Sequence, residues 1–196
     1  RRQRQMCIRD SNELIENVKG WSTAKELDKA SPLSQMLKLN EEWGELNGAT
    51  VRKDKEKISD SVGDMMVVLT ILAQQMNFSK IHLSLNPDEN GQHNFHYVDQ
   101  WSVELLYLHI ANEIGLIARG LVDVSTNTNR INARTQIQLS SRNIAIYLMF
   151  VAKKFDLTLT ECLELAWNEI KDRQGKMVDG VFVKSSDLEE VQDGTK

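Results

Sequence analysis

The spacing of apolar residues is the feature that most limits how this chain can fold. Over most of the 196 residues, apolar side chains recur every three or four positions, and strand-like alternation is scarce. This period is typical of amphipathic α-helices whose apolar stripe faces a core. The length suits a single domain with a sizeable core. The pattern predicts an all-α domain over residues 1–196 with six helices, at about residues 10–28, 32–52, 55–77, 99–122, 136–155 and 159–174.

Two of these predicted helices carry start signals in the sequence. Ser31 followed by Pro32 suits an N-cap with proline in the first helical turn. Thr158 followed three residues later by Glu161 fits a capping box, in which the side chains of the two residues bond each other's backbone amides. Helix starts are therefore predicted at these two places.

Polar and glycine-containing segments separate or follow the helices. The polar segment 123–135 predicts a mobile loop. Near the end, Asp179-Gly180 lies between two short apolar stretches, which predicts a tight β-hairpin at about 176–184. Residues 185–196 are expected to form a flexible tail.

Charge and cysteine content limit the partners that the chain would suit. A net charge of −4 argues against a nucleic-acid or membrane-surface partner, since such proteins usually carry a dominant basic face. The two cysteines, Cys7 and Cys162, are far apart and carry no partner motif, which favours a reduced protein without disulfides. No apolar stretch stands out as a bilayer span of about 20 residues. We therefore expect a soluble, cytoplasmic protein.

The chain repeats itself weakly. The stretch KLNEEWGELNGATV resembles HIANEIGLIARGLV, and GDMMVVLTILAQQMNFS resembles RNIAIYLMFVAKKFDLT. The alignment pairs Glu42 with Glu113 and Asp64 with Asn143. It predicts two helical hairpins of similar design, fused as a pseudo-dimer in a helical bundle, with chance similarity between amphipathic helices as the alternative. The two repeats are placed at about residues 10–77 and 99–175.

Acidic residues interrupt the apolar stripes of two consecutive predicted helices. Glu42 and Glu45 share a helix face, as do Asp60 and Asp64, because residues three or four apart are neighbours on a helix. Glu41 with Glu45 is a second possible pair. Burying ionised carboxylates together is costly unless a positive charge lies between them.

A hard divalent cation would meet this need. Mg²⁺ binds a few protein carboxylates and completes its octahedral coordination with water and substrate phosphates, which indicates a phosphate-bearing substrate. The alternative is that the acids form a solvated helix face with ordinary ion pairs to Lys38 and Arg52.

EEWGEL, followed after a charged connection by DSVGDMMVVL and a long apolar helix, resembles the MazG-like, all-α nucleoside triphosphate pyrophosphohydrolases, in particular the compact bacteriophage and bacterial forms. The family pattern is a Glu-x-x-Glu pair, a spacer and a Glu-x-x-Asp pair that together bind Mg²⁺. Glu42 and Glu45 match the first pair, and Asp64 matches the last aspartate. Ser61 stands where the family has glutamate, and Asp60 is the residue that would replace it.

The resemblance also implies substrate contacts. The stretch AWNEIKDRQGKMVDGVFVK is similar to the C-terminal end of such domains, where an asparagine and a lysine of the last helix approach the phosphates. Asn168 and Lys171 match these two residues. Lys38 is a further candidate for a substrate contact, and Trp43 is a candidate for stacking on a base, although such a tryptophan is more often part of the core.

The activity implied is Mg²⁺-dependent hydrolysis of a nucleoside or deoxynucleoside triphosphate to the monophosphate and pyrophosphate, with Mn²⁺ as an alternative metal. Glu42, Glu45, Asp60 and Asp64 would bind the metal, and Glu41 or Asp60 would act on the attacking water. Two alternatives are a non-catalytic helical module that binds a nucleotide or a protein, and a dUTPase of the related dimeric class. Either a monomeric pseudo-dimer or a homodimer is expected.

Overall fold

The protein is an all-α bundle with a short pair of strands after the last helix. The computed structural model describes residues 2–78, 95–178 and 181–184, and the side chains of residues 11–78 and 97–175. Within these ranges there are six α-helices and two strands. Their bounds are α1 Arg2–Ala24, α2 Pro32–Arg52, α3 Lys55–Gln75, α4 Val103–Ser125, α5 Arg130–Lys154, α6 Leu159–Ile170, β1 Gly175–Val178 and β2 Val181–Lys184.

The cap signals in the sequence are confirmed. The Ser31 hydroxyl accepts a hydrogen bond from the Leu33 amide at the start of α2, and Pro32 occupies the first helical position. At the start of α6, both bonds of the capping box between Thr158 and Glu161 are formed. Both caps satisfy amide groups that have no partner within the helix itself.

The prediction of a loop at 123–135 is wrong. Helix α4 runs to Ser125, α5 begins at Arg130, and four residues connect them. Asn127 and Asn129 adopt left-handed backbone conformations, with φ of 59° and 48°, which asparagine tolerates better than most residues. The polar residues here cover the solvent side of the helix ends, so their polarity did not mark a break in the helices.

The first helix also differs from its prediction. Helix α1 begins at Arg2 and ends at Ala24, whereas the sequence placed it at about 10–28. Glu26, with a left-handed φ of 60°, ends the helical path, and a short 3₁₀ turn at Leu27–Lys29 follows.

The two strands pair antiparallel, with Gly175 opposite Lys184 and Val178 opposite Val181. The predicted turn residues Asp179 and Gly180 lie outside the described residues, as does the predicted tail at 185–196.

Helix α3 is the centre of the fold. It packs against α1, α2, α5 and α6, and most of its side chains from Ile58 to Ala73 are buried. Its nearly continuous apolar sequence is therefore explained by contact on several sides. Inside this core, the Thr70 hydroxyl donates to the Met66 carbonyl, and the Gln35 amide of α2 donates to the Val68 carbonyl, so both polar groups are satisfied.

Helix α4 alone, among the described helices, is long and apolar enough by length and composition to cross a membrane, although the sequence suggested no such stretch. Core helices of soluble proteins meet the same criterion. In the fold α4 packs along α5, and 44% of its most apolar window is buried.

Two glycines allow helices to approach closely. A Cβ atom on Gly63 of α3 would lie 2.1 Å from the Cys162 carbonyl oxygen of α6. A Cβ atom on Gly120 of α4 would lie 2.6 Å from a side-chain carbon of Ile137 in α5. At Gly63 the obstacle is backbone, which cannot rotate away, so this contact fixes how closely α6 lies against α3.

Gly63→Ala should therefore destabilise the protein. Overpacking of a tight contact costs about 1–3 kcal/mol, and the free energy of unfolding from urea titration should fall by an amount in this range. Gly115→Ala is the matched control, because a Cβ atom there meets nothing within 4 Å. It should stabilise α4 by about 0.5–1 kcal/mol through helix propensity. Equal effects of the two substitutions would contradict the close contact.

Candidate metal and phosphate site

Helix α2 directs one glutamate into the core. Glu42 continues the buried stripe of Leu39, Leu46 and Ala49, and only 4% of it is exposed. Its Oε1 atom lies 2.8 Å from the Nζ atom of Lys38, one helical turn earlier. The carboxylate of Glu42 therefore lies on the side of α2 that faces α3. Because a buried carboxylate needs a partner, its ion pair with Lys38 offsets the cost of burial.

Lys38 also reaches Glu41, whose Oε2 atom lies 2.9 Å from Nζ. Glu41 is exposed, so this second contact is at the surface. The structure thus places Lys38, a predicted substrate contact, between two of the predicted acids. Its positive charge stands where a metal ion would be expected.

Burial raises the pKa of Glu42, the Lys38 contact opposes that shift, and the charges of Glu45 and Glu41 add to it. Glu45 itself is exposed. Its carboxylate also contributes to the raised pKa of Asp60 on α3, after burial and the charge of Glu169. Glu45 therefore lies at the open side of the region between α2 and α3.

Helix α3 contributes two aspartates to the same region. Burial raises the pKa of Asp64 to about 7, and the negative charges of Glu42, Asp60 and Glu169 add to the effect. Burial is also the main cause of the raised pKa of Asp60. The Oδ1 atom of Asp60 is buried and has no hydrogen-bond partner in the described structure. The two helices thus bring together carboxylates that disfavour each other's ionised form.

Ser61, the departure from the family pattern, is buried, with 2% of the residue exposed. Its side chain packs within the core instead of joining the carboxylates at the surface of α3. The additional acid near Asp60 and Asp64 comes from α6.

Helix α6 brings two charged residues that the sequence analysis did not identify. Cys162 and Ala166 lie against α3 at Gly63, and Glu169 follows Cys162 by seven residues on the same face of α6. Arg173 lies three residues beyond the end of α6 at Ile170. The Arg173 Nη2 atom lies 3.5 Å from Glu169 Oε2. Both charges act on the pKa of Asp64 and of Asp60, after burial. In the sequence, the seven-residue spacing of Glu169 and Arg173 from Cys162 and Ala166 was the signal that could have identified both residues.

Asn168 and Lys171 are not brought to the acids. Both side chains are exposed, and Lys171 Nζ donates to Asn168 Oδ1 at 2.7 Å. At 100° per residue, they lie on the opposite side of α6 from Cys162 and Ala166. Their expected contact with substrate phosphates remains a prediction that this arrangement does not support.

Trp43 packs against α4. Its ring centroid lies 5.0 Å from that of Tyr107 at an angle of 44°, and the Tyr107 hydroxyl is hydrogen-bonded to Thr50. The ring is half-buried and belongs to the edge of the core. This is the packing role that the sequence analysis gave as the alternative to base stacking.

The donor chemistry fits a hard divalent cation, but the donors are not assembled around one point. In the described part of the chain, no three His, Cys, Asp or Glu side chains are close enough to hold a metal ion as they stand. The buried Oδ1 of Asp60 lacks a partner, and Glu42 is engaged by Lys38. A metal ion held by three of these carboxylates would therefore need some of their side chains to rotate.

At the aligned position in the second half, the buried glutamate faces an amide group instead of a carboxyl group. Glu113 of α4 is buried, and its Oε1 atom accepts a hydrogen bond of 2.9 Å from the Asn143 side-chain amide of α5. Its Oε2 atom is buried and has no hydrogen-bond partner in the part of the chain that the structure describes. An amide thus faces the glutamate between α4 and α5, whereas the charge of Glu42 raises the pKa of Asp64 between α2 and α3.

Without a divalent cation, the protein should lose stability as the pH rises from about 4 to about 7. Folding raises the pKa of Asp64 from 3.8 to about 7, so the folded state binds more protons than the unfolded state in this window. The free energy of unfolding therefore falls with rising pH and levels off above the folded pKa, by an amount on the order of a few kcal/mol.

Asp64→Asn removes the titrating group and should flatten the curve in the same window. Urea denaturation across this pH range, with a chelator present, measures the effect in both proteins. Identical pH dependence of the two would contradict the assignment to Asp64.

The comparisons with known proteins give one relative and no family. No family model matches the chain, and no solved structure matches it. The chain is similar to the "Uncharacterized 18.2 kDa protein in rep-hol intergenic region" of Haemophilus phage HP1 (strain HP1c1), with 25% identity over 164 residues. The match covers 80% of this chain and 98% of the phage protein. Similarity to a phage protein agrees with the phage-type relationship expected from the sequence.

Proposed function

We propose that the chain hydrolyses a nucleoside or deoxynucleoside triphosphate to the monophosphate and pyrophosphate, with Mg²⁺, or Mn²⁺ in its place. One observation carries the proposal. Glu42 is buried and Asp64, on the neighbouring helix, is half-buried, and the pKa of Asp64 is raised to about 7 by burial and then by the negative charge of Glu42. Such an arrangement is costly unless a cation binds there.

The charge balance of the region supports a divalent cation. Six carboxyl groups and three cationic side chains act on one another there, so negative charge is in excess by three when all are ionised. Mg²⁺ would offset two of these charges and would still favour phosphate oxygens in its open positions. The acids are Glu41, Glu42, Glu45, Asp60, Asp64 and Glu169, and the cations are Lys38, Lys57 and Arg173.

In this proposal Glu42, Glu45 and Asp64 hold the metal. A bound metal ion would offset phosphate charge and lower the pKa of a water molecule. Asp60 is the better candidate to take the proton of the attacking water, because its Oδ1 atom is buried with no hydrogen-bond partner among the described residues and its pKa is raised, chiefly by burial. Glu41 is exposed and engaged by Lys38, which makes it the weaker candidate.

The fused repeat is part of the same proposal. We take α2–α3 and α4–α5 as two copies of one helical hairpin, with the acid pair kept in the first and replaced by the Glu113–Asn143 hydrogen bond in the second. The chain would then hold one active site, which could be complete within a monomeric pseudo-dimer. A homodimer would keep one site per chain.

A non-catalytic module that binds a nucleotide is the second candidate. The observation in its favour is that no three potential metal ligands among the described residues converge as they stand. The presence of serine at position 61 agrees with it. The two candidates differ in whether pyrophosphate is released.

Incubation with a panel of ribonucleoside and deoxyribonucleoside triphosphates and Mg²⁺ should release pyrophosphate from at least one of them. Turnover of dUTP alone would favour the dimeric-type dUTPase. Asp64→Asn and Glu45→Gln should each lower the rate by about a hundredfold or more, since both remove a proposed metal ligand. Far-ultraviolet circular dichroism should show unchanged helical content.

Glu113→Gln is the matched control. It removes a buried carboxylate of the second half and keeps an oxygen that can accept the Asn143 bond. Its turnover should equal that of the wild type. Full activity in Asp64→Asn and Glu45→Gln would remove these residues from the mechanism, and pyrophosphate release from no triphosphate would favour the non-catalytic module.

Metal stoichiometry tests the single-site proposal separately. Titration calorimetry with Mn²⁺ should give one strong site per chain, and Asp64→Asn should abolish it. Two equivalent strong sites per chain would refute a site confined to the first half.

A further inference from the structure

Arg173 is the cationic side chain of α6 on the side of the acids. The close contact of Gly63 with Cys162 and Ala166 fixes this face of α6 against α3, and Arg173 lies three residues beyond the end of α6, where its backbone amide donates to the Ile170 carbonyl. Its guanidinium is held at 3.5 Å by Glu169 and is only partly exposed, with 29% of the side chain accessible. Although burial dominates the raised pKa of Asp60 and of Asp64, the Arg173 charge opposes both shifts.

Lys171 does not lie on the side of α6 that faces α3. It is exposed, lies on the opposite side of α6, and donates to Asn168. Of the two cations at this helix end, Arg173 is the one whose charge acts on Asp60 and Asp64.

The contact of Arg173 with Glu169 is of a kind that a phosphate group could replace. A guanidinium offers five donors in a planar fork that matches phosphate oxygens, and its charge does not depend on pH in the ordinary range. The 3.5 Å contact with Glu169 is long for a charged hydrogen bond, and half of the Glu169 side chain is exposed. This weak contact orients Arg173 without saturating its donors.

We infer that Arg173, oriented by Glu169, is the residue of α6 that contacts the phosphate groups of the substrate, and that Lys171 is not. The inference rests on the proposed function, since it takes a metal-bound polyphosphate as the ligand. Glu169 is a positioning residue in this arrangement, and Arg173 bridges from α6 to a phosphate group held beside α2 and α3.

The test uses Mg²⁺ with inorganic pyrophosphate as the probe, measured by titration calorimetry on the full chain. Arg173→Ala should weaken pyrophosphate binding about ten- to a hundredfold, the usual effect of losing a hydrogen bond between charged groups. Arg173→Lys should recover part of the loss, because lysine keeps the positive charge but lacks the planar guanidinium that matches phosphate oxygens. Lys171→Ala and the exposed Arg119→Ala of α4 should bind as the wild type does.

Two further measurements separate the role of Arg173 from a structural one. Mn²⁺ binding without pyrophosphate should be unchanged or tighter in Arg173→Ala, because the substitution removes a neighbouring positive charge. Glu169→Gln should weaken pyrophosphate binding less than Arg173→Ala does. The substitution removes the ion pair that orients the Arg173 guanidinium, but the guanidinium itself remains. Circular dichroism should show that each variant is folded.

The outcomes distinguish this inference from the proposed reaction. Pyrophosphate binding that is equal in wild type and Arg173→Ala, absent from the wild type, or lost in Lys171→Ala would overturn the inference, whether or not a triphosphate is hydrolysed. Conversely, a loss in Arg173→Ala, a smaller one in Glu169→Gln and none in Lys171→Ala, in a protein that hydrolyses no triphosphate, would establish the phosphate contact and reject the hydrolysis.

Discussion

The burial of like-charged carboxyl groups between α2 and α3 is the constraint on which the interpretation of this protein depends. A carboxylate removed from water needs hydrogen-bond donors or a positive charge, and Glu42 has one such partner, Lys38. Asp64 has no comparable ion pair among the described residues, and its pKa rises to about 7, first through burial. One buried carboxyl group is thus paired with the exposed ammonium group of Lys38, and a second, half-buried one has a raised pKa. Both arrangements neutralise charge, and a divalent cation could replace both.

The second half of the chain shows that such helices do not require acids at both positions. Asn143 donates to Glu113 at the interface of α4 and α5, so the buried glutamate has an ordinary hydrogen bond in place of a repelling neighbour. A single oxygen-to-nitrogen replacement, aspartate to asparagine, converts an unfavourable pair into a favourable one. If folding were the only requirement, the amide would serve equally well between α2 and α3. The presence of the costlier pair between α2 and α3 is therefore a reason to look for function there.

The sequence predicted the helices more completely than the site. Periodicity and caps such as Ser31 and Thr158 act locally, so helix type and several starts could be read directly. Helix faces gave the pairs Glu42–Glu45 and Asp60–Asp64, and the expectation that the two pairs meet came from the family resemblance. The contributions of Glu169 and Arg173 could not be read in this way, because they depend on how α6 packs on α3, about a hundred residues away in the chain. The polar start of α5 was misread as a loop since its exposed residues resemble loop residues in composition.

Gly63 links the packing of the fold to the charges of the site. It lies between Asp60 and Asp64 on α3, and the absence of a side chain allows the Cys162 carbonyl to approach at that level. The same approach determines the position of Glu169 and Arg173 relative to both aspartates. A larger residue at Gly63 would move α6 outward, and the interactions of its charged end with the aspartates would weaken with distance. The close approach at Gly63 thus determines both how α6 packs on α3 and how the charges of the site interact. A change in this packing therefore also changes the electrostatics of the site.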